Sequence, residues 1–297
     1  MSGQPFTPKN VLLVGGTGWI GSAIAEELSQ RKEFNVKILV RKESKETKKD
    51  RIQKYESAGA TIVEGDINDP ASLSAALQDV DTVISVLGGH SVIVGDQSKL
   101  LQAAKEAGSV KLFVPSEWGI DSFESDPFPL FDAQAKLRKE VQESGLQWTF
   151  IVTGLLYQYF YTPRARFDPQ NGHAIIPGDG SGRFNTIDVK DVGKYVPEIL
   201  LDPETKNKTI HISGANLSYN EAVKIFEEAL GKKFDVKYVS LEEEQKTYET
   251  SSKDFMLLLI TRISIRHYTS KQDEPNYGAK YKHIHPLSLA DYAKSLI

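Results

Sequence analysis

The sequence predicts an α/β fold in which a parallel β-sheet is covered by helices on both faces. Short runs rich in valine and isoleucine alternate with helix-like segments through the first half of the chain, which is the rhythm of βαβ units. Each run is almost continuously apolar, as expected for strands that are buried on both faces. The predicted strands lie at residues 10–14, 36–40, 61–63, 82–86, 110–114 and 148–152. The pattern therefore indicates a doubly wound sheet.

The helices between these strands, and the later part of the chain, carry their own signals. Pro70 follows Asp69, which is typical of a helix start. Beyond residue 153 the pattern loosens into a segment rich in tyrosine, proline and glycine, followed by a helix at 219–230 and a strand at 234–239. The acidic cluster 242–244 is predicted to lie on a solvated helix face.

Two domains are expected from this organisation. Residues 1–153 form the sheet domain, and residues 154–297 form a smaller α+β subdomain on the substrate side, with some chain returning to the first domain. A chain of 297 residues is long enough for both.

Composition excludes several classes of function. The chain has no cysteine, which removes disulfides, thiolate nucleophiles and cysteine-ligated metals. A net charge of −4 with dispersed basic residues argues against nucleic-acid binding. No apolar run is long enough to cross a bilayer, so a cytoplasmic protein without membrane contact is expected. No third metal-ligating residue follows or precedes His283 and His285 at a spacing typical of metal sites, so we expect no metal site.

A glycine-rich turn follows the first predicted strand and leads directly into a helix. Strand, glycine turn and helix in this order are typical of a Rossmann-type dinucleotide site, because the turn lets a pyrophosphate approach backbone amides at the positive end of the helix dipole. The alternative is a purely structural turn. The residues predicted to contact the cofactor here are Gly15, Gly16, Thr17, Gly18, Trp19, Ile20 and Gly21.

The end of the second strand indicates which dinucleotide binds. NAD-binding domains place an acidic residue there to accept hydrogen bonds from the ribose, and this chain has Arg41. A guanidinium pairs well with a 2′-phosphate, and several lysines, Lys48 among them, follow closely. We therefore predict NADP(H) as cofactor, with Arg41 and Lys48 at the 2′-phosphate. The alternative for the lysines is an exposed, charged helix start.

The chain resembles the NmrA-like and isoflavone-reductase-like family of atypical short-chain dehydrogenases. The resemblance rests on NVLLVGGTGWIG, ILVR, EGDIND, PSEWG, GLQWTFIVTG and SGANLSYNEAVKIFEEALGKKFDV, which together span most of the chain. It implies that Asp66 and Ile67 contact adenine, that Leu87 and Gly88 lie beneath the dinucleotide, and that Ser116 lines the nicotinamide side. Each of these also has a structural alternative; Asp66, for example, is a candidate cap for the helix near Pro70.

The chain departs from the family at the proton-handling lysine. Counting back from Gly145 places Gln134 at that position, where its amide is expected to orient the substrate or the cofactor ribose. Lys136 is the nearest lysine and the remaining candidate, but two helical residues point about 200° apart, which favours a surface position. None of the 12 tyrosines is followed by a lysine in a Tyr-x-x-x-Lys pair.

Three further residues complete the predicted site. Gly154 stands where family reductases often have an asparagine near the nicotinamide, and Tyr157 begins an aromatic run suited to an aromatic substrate pocket or to packing between subdomains. His90 follows two glycines and is a candidate proton donor, with an exposed loop histidine as the alternative.

Three functions remain open at this point. The first is an NADPH-dependent reductase of a small aromatic or enone-type substrate, with Gln134 in place of the family lysine. The second is a non-catalytic redox sensor that binds NADP(H) and presents its state to a protein partner. The third is an isomerase or dehydratase that recycles its NADP internally.

Overall fold

The computed structural model describes residues 6–121, 126–251, 254–269 and 275–297. The chain divides into two units, and each unit is built from two separate stretches of sequence. The first unit comprises residues 1–152 and 192–210, and the second comprises residues 153–191 and 211–297.

The strands and helices are numbered in chain order over these residues. The strands are β1 (Asn10–Val14), β2 (Asn35–Val40), β3 (Thr61–Glu64), β4 (Thr82–Ser85), β5 (Leu112–Val114), β6 (Gln147–Val152), β7 (Leu155–Leu156), β8 (Phe167–Asp168), β9 (His173–Pro177), β10 (Arg183–Ile187), β11 (Lys208–His211), β12 (Ala215–Ser218) and β13 (Asp235–Val239). The helices are α1 (Trp19–Ser29), α2 (Lys42–Thr47), α3 (Lys49–Ser57), α4 (Pro70–Ala76), α5 (Gly89–Ile93), α6 (Asp96–Glu106), α7 (Pro129–Glu143), α8 (Tyr157–Phe160), α9 (Val189–Leu201), α10 (Tyr219–Leu230), α11 (Leu241–Thr250), α12 (Phe255–Thr269) and α13 (Leu289–Lys294). Short 3₁₀ turns occupy Pro163–Ala165, Pro203–Thr205 and Tyr277–Lys280.

The first unit is built on a seven-stranded sheet of order β11-β6-β5-β4-β1-β2-β3 within the described residues. The pairs from β3 through β6 are all parallel. The order reverses direction at β1 and β4, as it does in a doubly wound sheet, and the predicted fold class is therefore confirmed. Because the strands are parallel, the carboxyl ends of β1 to β5 lie along one edge of the sheet.

Local sequence explains how this unit is assembled. The central strands β1, β4 and β5 are almost wholly buried because helices cover both faces of the sheet. One large apolar cluster forms around them, with Leu12, Val83 and Phe113 fully buried. Asp69 caps α4 by accepting a hydrogen bond from the Ala71 amide, as the Asp-Pro signal predicts.

The second unit contains two small three-stranded sheets, of order β12-β10-β7 and β13-β9-β8, together with helices α10 to α13 in its described part. Helix α10 matches the predicted range and begins with a capping box in which Ser218 and Glu221 bond each other's backbone amides. The core of the second unit is strongly aromatic, and it includes the buried side chains of Phe160, Phe184 and Phe226.

The prediction for the acidic cluster was wrong at one of its three residues. Glu242 and Glu243 are exposed on α11, but the side chain of Glu244 is fully buried. Both carboxylate oxygens of Glu244 accept hydrogen bonds from the Arg166 guanidinium, at 2.8 Å each. An ionic partner from a distant segment makes this burial tolerable, and a local charge pattern does not reveal such a partner.

In the part of the chain that the structure describes, no helix combines the length and the apolar character needed to cross a bilayer.

Candidate functional site

The glycine-rich turn begins where β1 ends at the carboxyl edge of the sheet. Gly15 has φ of +89°, and a Cβ at this position would collide with the Val86 carbonyl just beyond β4. Gly21 lies in the first turn of α1, where a Cβ would collide with the Gly15 carbonyl. The turn is closed by a hydrogen bond of 3.0 Å from the Gly18 amide to the Gly15 carbonyl. Only glycine fits at these two crowded positions.

The amino terminus of α1 faces this turn without a side-chain cap. Gly18 is the N-cap residue, and the first helical hydrogen bond to it comes from the Ser22 amide at 2.8 Å. The amides of Ile20 and Gly21 precede that bond in the first turn, where helical amides have no partner within the helix. An anion placed beside the turn would meet these amides and the positive end of the helix dipole.

The cationic residues predicted for the 2′-phosphate lie beyond β2. Arg41 directly follows this strand, is exposed, and serves as the N-cap residue of α2. Lys48 is also exposed and connects α2 to α3. Since β1 and β2 are adjacent and parallel, Arg41 lies at the same sheet edge as the glycine turn.

Helix α3 contacts the glycine turn through two side chains, a feature that sequence reasoning missed. The Arg51 Nη1 donates a hydrogen bond to the Thr17 carbonyl at 2.6 Å. The buried Tyr55 hydroxyl donates to the Gly16 carbonyl at 2.9 Å, and burial raises the pKa of this phenol. A basic run marks this segment in the sequence, but nothing in it reveals which basic side chain reaches back to the turn.

The predicted adenine-side residues follow β3. Asp66 accepts a hydrogen bond from the Asn68 amide at 2.8 Å, and its own amide donates to Ser72 Oγ at 3.0 Å. Ile67 is partly buried against the large apolar cluster. The cap of α4 comes from Asp69, so Asp66 is not the cap of that helix.

Ser116, beyond β5, is hydrogen-bonded to the segment beyond β4. Its Oγ donates to the Leu87 carbonyl at 2.9 Å, and its amide donates to the Oε1 of Gln97 on α6 at 2.6 Å. Gly88 is the N-cap residue of α5, and His90 is exposed in the first turn of that helix. Two of the predicted positions, Leu87 and Ser116, are therefore in direct contact.

Gln134 and Lys136 have opposite environments on α7. Gln134 is buried, and its Nε2 donates to the Ser116 carbonyl at 3.4 Å. Lys136 is 73% exposed and pairs with Asp132 one turn earlier, at 2.7 Å. Gln134 thus joins the group around Ser116, whereas Lys136 points into solvent.

A buried ion pair between Glu117 and Arg138 also holds the segment 115–119. Both Nε and Nη2 of Arg138 donate to Glu117 Oε2, at 3.0 and 2.7 Å, and Nη1 lies 2.8 Å from Asp121 Oδ1. Burial raises the pKa of the Glu117 carboxyl to about 7, although the positive Arg138 opposes this rise. The Trp118 indole donates to the Ser85 carbonyl at 2.9 Å. The Glu117 and Trp118 contacts thus join the segment to α7 and to β4.

Gly154 and Tyr157 belong to the second unit. Gly154 has φ of +67°, and a Cβ there would collide with the Asn185 carbonyl. Tyr157 is fully buried, its hydroxyl donates to the Leu287 carbonyl at 3.1 Å, and its ring lies 5.1 Å from that of Tyr292. Burial raises the pKa of the Tyr157 phenol above its usual value.

The structure therefore brings most predicted residues of the first unit to one sheet edge. The glycine turn, Arg41, Asp66, Leu87 and Ser116 follow β1 to β5 in turn, and Gln134 contacts this row through Ser116. Sequence reasoning missed the supporting contacts because each joins residues far apart in the chain.

Comparison with known proteins gives a consistent result. A sequence model of the NmrA-like family matches residues 7–266. The chain is 32% identical to a phenylcoumaran benzylic ether reductase of Nicotiana tabacum, over 93% of each chain, and 34% identical to an isoflavone reductase of Pisum sativum, over 83% of each.

Solved structures are similar over nearly the whole chain. A crystal structure of an isoflavone reductase is 30% identical, with a TM-score of 0.87 over 98% of this chain and 100% of that one. The protein AtPrR2, solved with NADP⁺ and (+)-pinoresinol, is 27% identical, with a TM-score of 0.86 over 98% of this chain and 99% of its own.

Proposed function

Because this chain belongs to the NmrA-like family, we propose that it is an NADPH-dependent reductase of a small aromatic or enone-type substrate. The observation that carries the proposal is the first βαβ unit: a glycine turn that only glycine can build, with a cation at the end of the neighbouring strand. The names of the relatives, an isoflavone reductase and a benzylic ether reductase among them, support a reductive reaction on an aromatic compound.

The residues of the first unit fit NADP(H). Backbone amides of the turn and of α1 would hold the pyrophosphate, and Arg41, with Lys48, would hold the 2′-phosphate. Asp66 and Ile67 would border the adenine, and Leu87, Gly88 and Ser116 the nicotinamide half. The bound cofactor would supply the hydride, so the protein's own task is to bind, to orient and to exclude water.

The reaction needs a proton donor other than Gln134. Gln134 occupies the position of the family lysine, and its amide neither gains nor loses a proton near neutral pH. Its contact with the Ser116 carbonyl supports a positioning role at the nicotinamide wall. His90, exposed near the end of β4, is the candidate proton donor in the first unit.

The position of Gln134 also favours a second candidate function, a redox sensor that binds NADP(H) without turnover. A sensor needs the cofactor site but no proton donor. General acid assistance contributes about 10²- to 10⁴-fold in rate, so its loss leaves binding intact while reducing catalysis.

Turnover measurements separate the two functions. Purified protein is incubated with NADPH and a panel of aromatic ketones, enones and benzylic ethers, and NADPH absorbance is followed for wild type and for Gln134→Lys. We expect oxidation of NADPH with at least one substrate, accelerated by about 10²-fold in Gln134→Lys because an ammonium can donate a proton. Tight NADPH binding without turnover in both proteins would establish the sensor instead.

The cofactor assignment has its own test in Arg41→Ala. Hydrogen bonds to charged groups contribute about 1.5–3 kcal/mol, so the Kd for NADPH should rise at least about 10-fold, while the Kd for NADH should change less than about 3-fold. Fluorescence titration measures both constants. Unchanged NADPH affinity would remove Arg41 from the site.

A further inference from the structure

Arg51 differs from two nearby lysines, Lys45 and Lys54, in the way it is held. In the described chain, Lys45 pairs with Glu64 at 3.3 Å and Lys54 pairs with Glu26 at 3.0 Å, so a carboxylate neutralises each of them. Arg51 has no carboxylate within ion-pair distance among the described residues, and its recorded hydrogen bond is to the Thr17 carbonyl. A guanidinium has five N–H donors, so this bond leaves most of them for a ligand.

The position of this charge follows from the packing of the turn. A Cβ at Gly16 would lie 2.7 Å from the Ile38 side chain of β2, so this half of the turn lies against β2. Arg51 and Tyr55 bond the carbonyls of Thr17 and Gly16 from α3. In a Rossmann-type site, the adenosine ribose lies between the glycine turn and the end of the second strand. The Arg51 guanidinium is therefore on the ribose side of the turn.

We propose that Arg51 is a specificity-determining residue that binds the 2′-phosphate of NADPH together with Arg41, while its bond to Thr17 holds it in place. This inference rests on the proposed function. Two guanidinium groups from different elements, one beyond β2 and one on α3, would then hold the phosphate on two sides. A planar guanidinium can bond phosphate oxygens in pairs, which suits this task better than the flexible lysines nearby.

Tyr55 also bonds the glycine turn from α3, but its loss is expected to affect cofactor binding differently from the loss of Arg51. Because the carbonyl and the amide of a peptide unit point in opposite directions, holding the Gly16 carbonyl toward α3 directs the Thr17 amide away from α3. This arrangement serves the pyrophosphate, which NADPH and NADH share. Losing the Tyr55 hydroxyl should therefore weaken both cofactors alike.

The experiment compares the Kd values of NADPH and NADH, from fluorescence titration, across four variants. Arg51→Ala and Arg51→Gln should each raise the Kd for NADPH about 10-fold and change that for NADH less than about 3-fold. Arg51→Gln keeps a donor for the Thr17 carbonyl, and so separates loss of charge from loosening of the turn. Tyr55→Phe should raise both constants by the same factor. Lys54→Ala, which removes a paired cation on the same helix, is the matched control and should leave both unchanged.

Several results would overturn the inference. An equal loss for both cofactors in Arg51→Gln would reduce Arg51 to a support of the turn, and unchanged constants would give it no part in binding. If wild-type protein bound neither cofactor, the proposed function would fail first. Circular dichroism of each variant shows that the loss is not one of folding.

Discussion

At the scale of single residues, Gln134 and Lys136 show how much a side chain depends on helix geometry. They are two residues apart on α7, which turns their side chains about 200° from each other. Gln134 is buried against Ser116, whereas Lys136 is exposed and paired with Asp132. Lys136 therefore cannot take the place of Gln134 beside Ser116.

His267 on α12 is a buried residue whose charge state sets a stability prediction. Its Nδ1 is hydrogen-bonded to the Tyr219 hydroxyl at 2.7 Å, and its ring stacks on Phe184 at 5.2 Å. Burial, with a smaller contribution from Arg266, lowers the pKa of His267 to about 3. In the unfolded chain, the imidazole takes up a proton near its ordinary pKa of about 6.5.

Acid should therefore destabilise the fold through His267. Between these two pKa values the unfolded chain binds the proton and the folded protein does not, so stability falls as pH falls below about 6.5. At about pH 5 the loss is roughly 2 kcal/mol relative to neutral pH. Urea unfolding of wild type and His267→Gln should show a smaller loss in the variant. A variant with the full wild-type loss would contradict the assignment, and the exposed His90→Gln is the control.

At the scale of elements, α9 packs against α1 at a position that requires glycine. A Cβ at Gly193 would lie 2.5 Å from the carbonyl oxygen of Ala23. Pro197 follows inside the same helix and has no amide to bond the Gly193 carbonyl, so the helix is irregular at this contact. The side of α9 that meets α1 is therefore shaped by two residues that helix propensity disfavours.

The substitution Gly193→Ala has two opposing effects on stability, one through helix propensity and one through packing. Alanine favours the helix by about 1 kcal/mol over glycine, but forcing a methyl group against backbone atoms costs about 1–3 kcal/mol or more. We expect a net loss of stability of about 1 kcal/mol or more in denaturant unfolding. Lys190→Ala, at an exposed position near the start of α9, is the control and should change stability by less than about 0.5 kcal/mol. If Gly193→Ala were more stable than wild type, the backbone contact with Ala23 would have to relax at little energetic cost.

At the scale of the whole molecule, the first unit is completed by a returning segment. Residues 192–210 carry most of α9, and β11 occupies the edge of the sheet beside β6. Four apolar side chains of this part of α9 are almost fully buried: Val192, Val196, Ile199 and Leu200. Arg31 near α1 pairs with Glu198 of α9 at 2.7 Å, which adds a polar contact at the edge of this packing.

A fragment ending at residue 153 should therefore not fold cooperatively. Burying four such side chains contributes roughly 6–12 kcal/mol, which is as large as the net stability of about 5–15 kcal/mol for a whole domain. Thermal unfolding followed by circular dichroism should show no cooperative transition for residues 1–153. The fragment 1–210, which contains both stretches of the unit, should regain one. Cooperative unfolding of the shorter fragment would show that the returning segment is dispensable.

The sequence by itself determined the parallel sheet, its glycine turn and the family of the protein. These features depend on neighbours in the chain: continuous apolar runs mark strands buried on both faces, and glycines after the first strand mark a turn that admits no side chain. Arg41 could be placed for the same reason, since it directly follows a strand that the pattern already identified.

Tertiary structure alone decided which polar side chains work together. Arg51 reaches Thr17 across 34 positions, and Glu244 reaches Arg166 across 78. The return of α9 to the first unit was expected only in general terms, and its packing at Gly193 was not expected at all. Local patterns report the environment of a segment, whereas the partner of a charge is chosen by the packing of segments that the chain keeps far apart, and that choice exists only once the fold has formed.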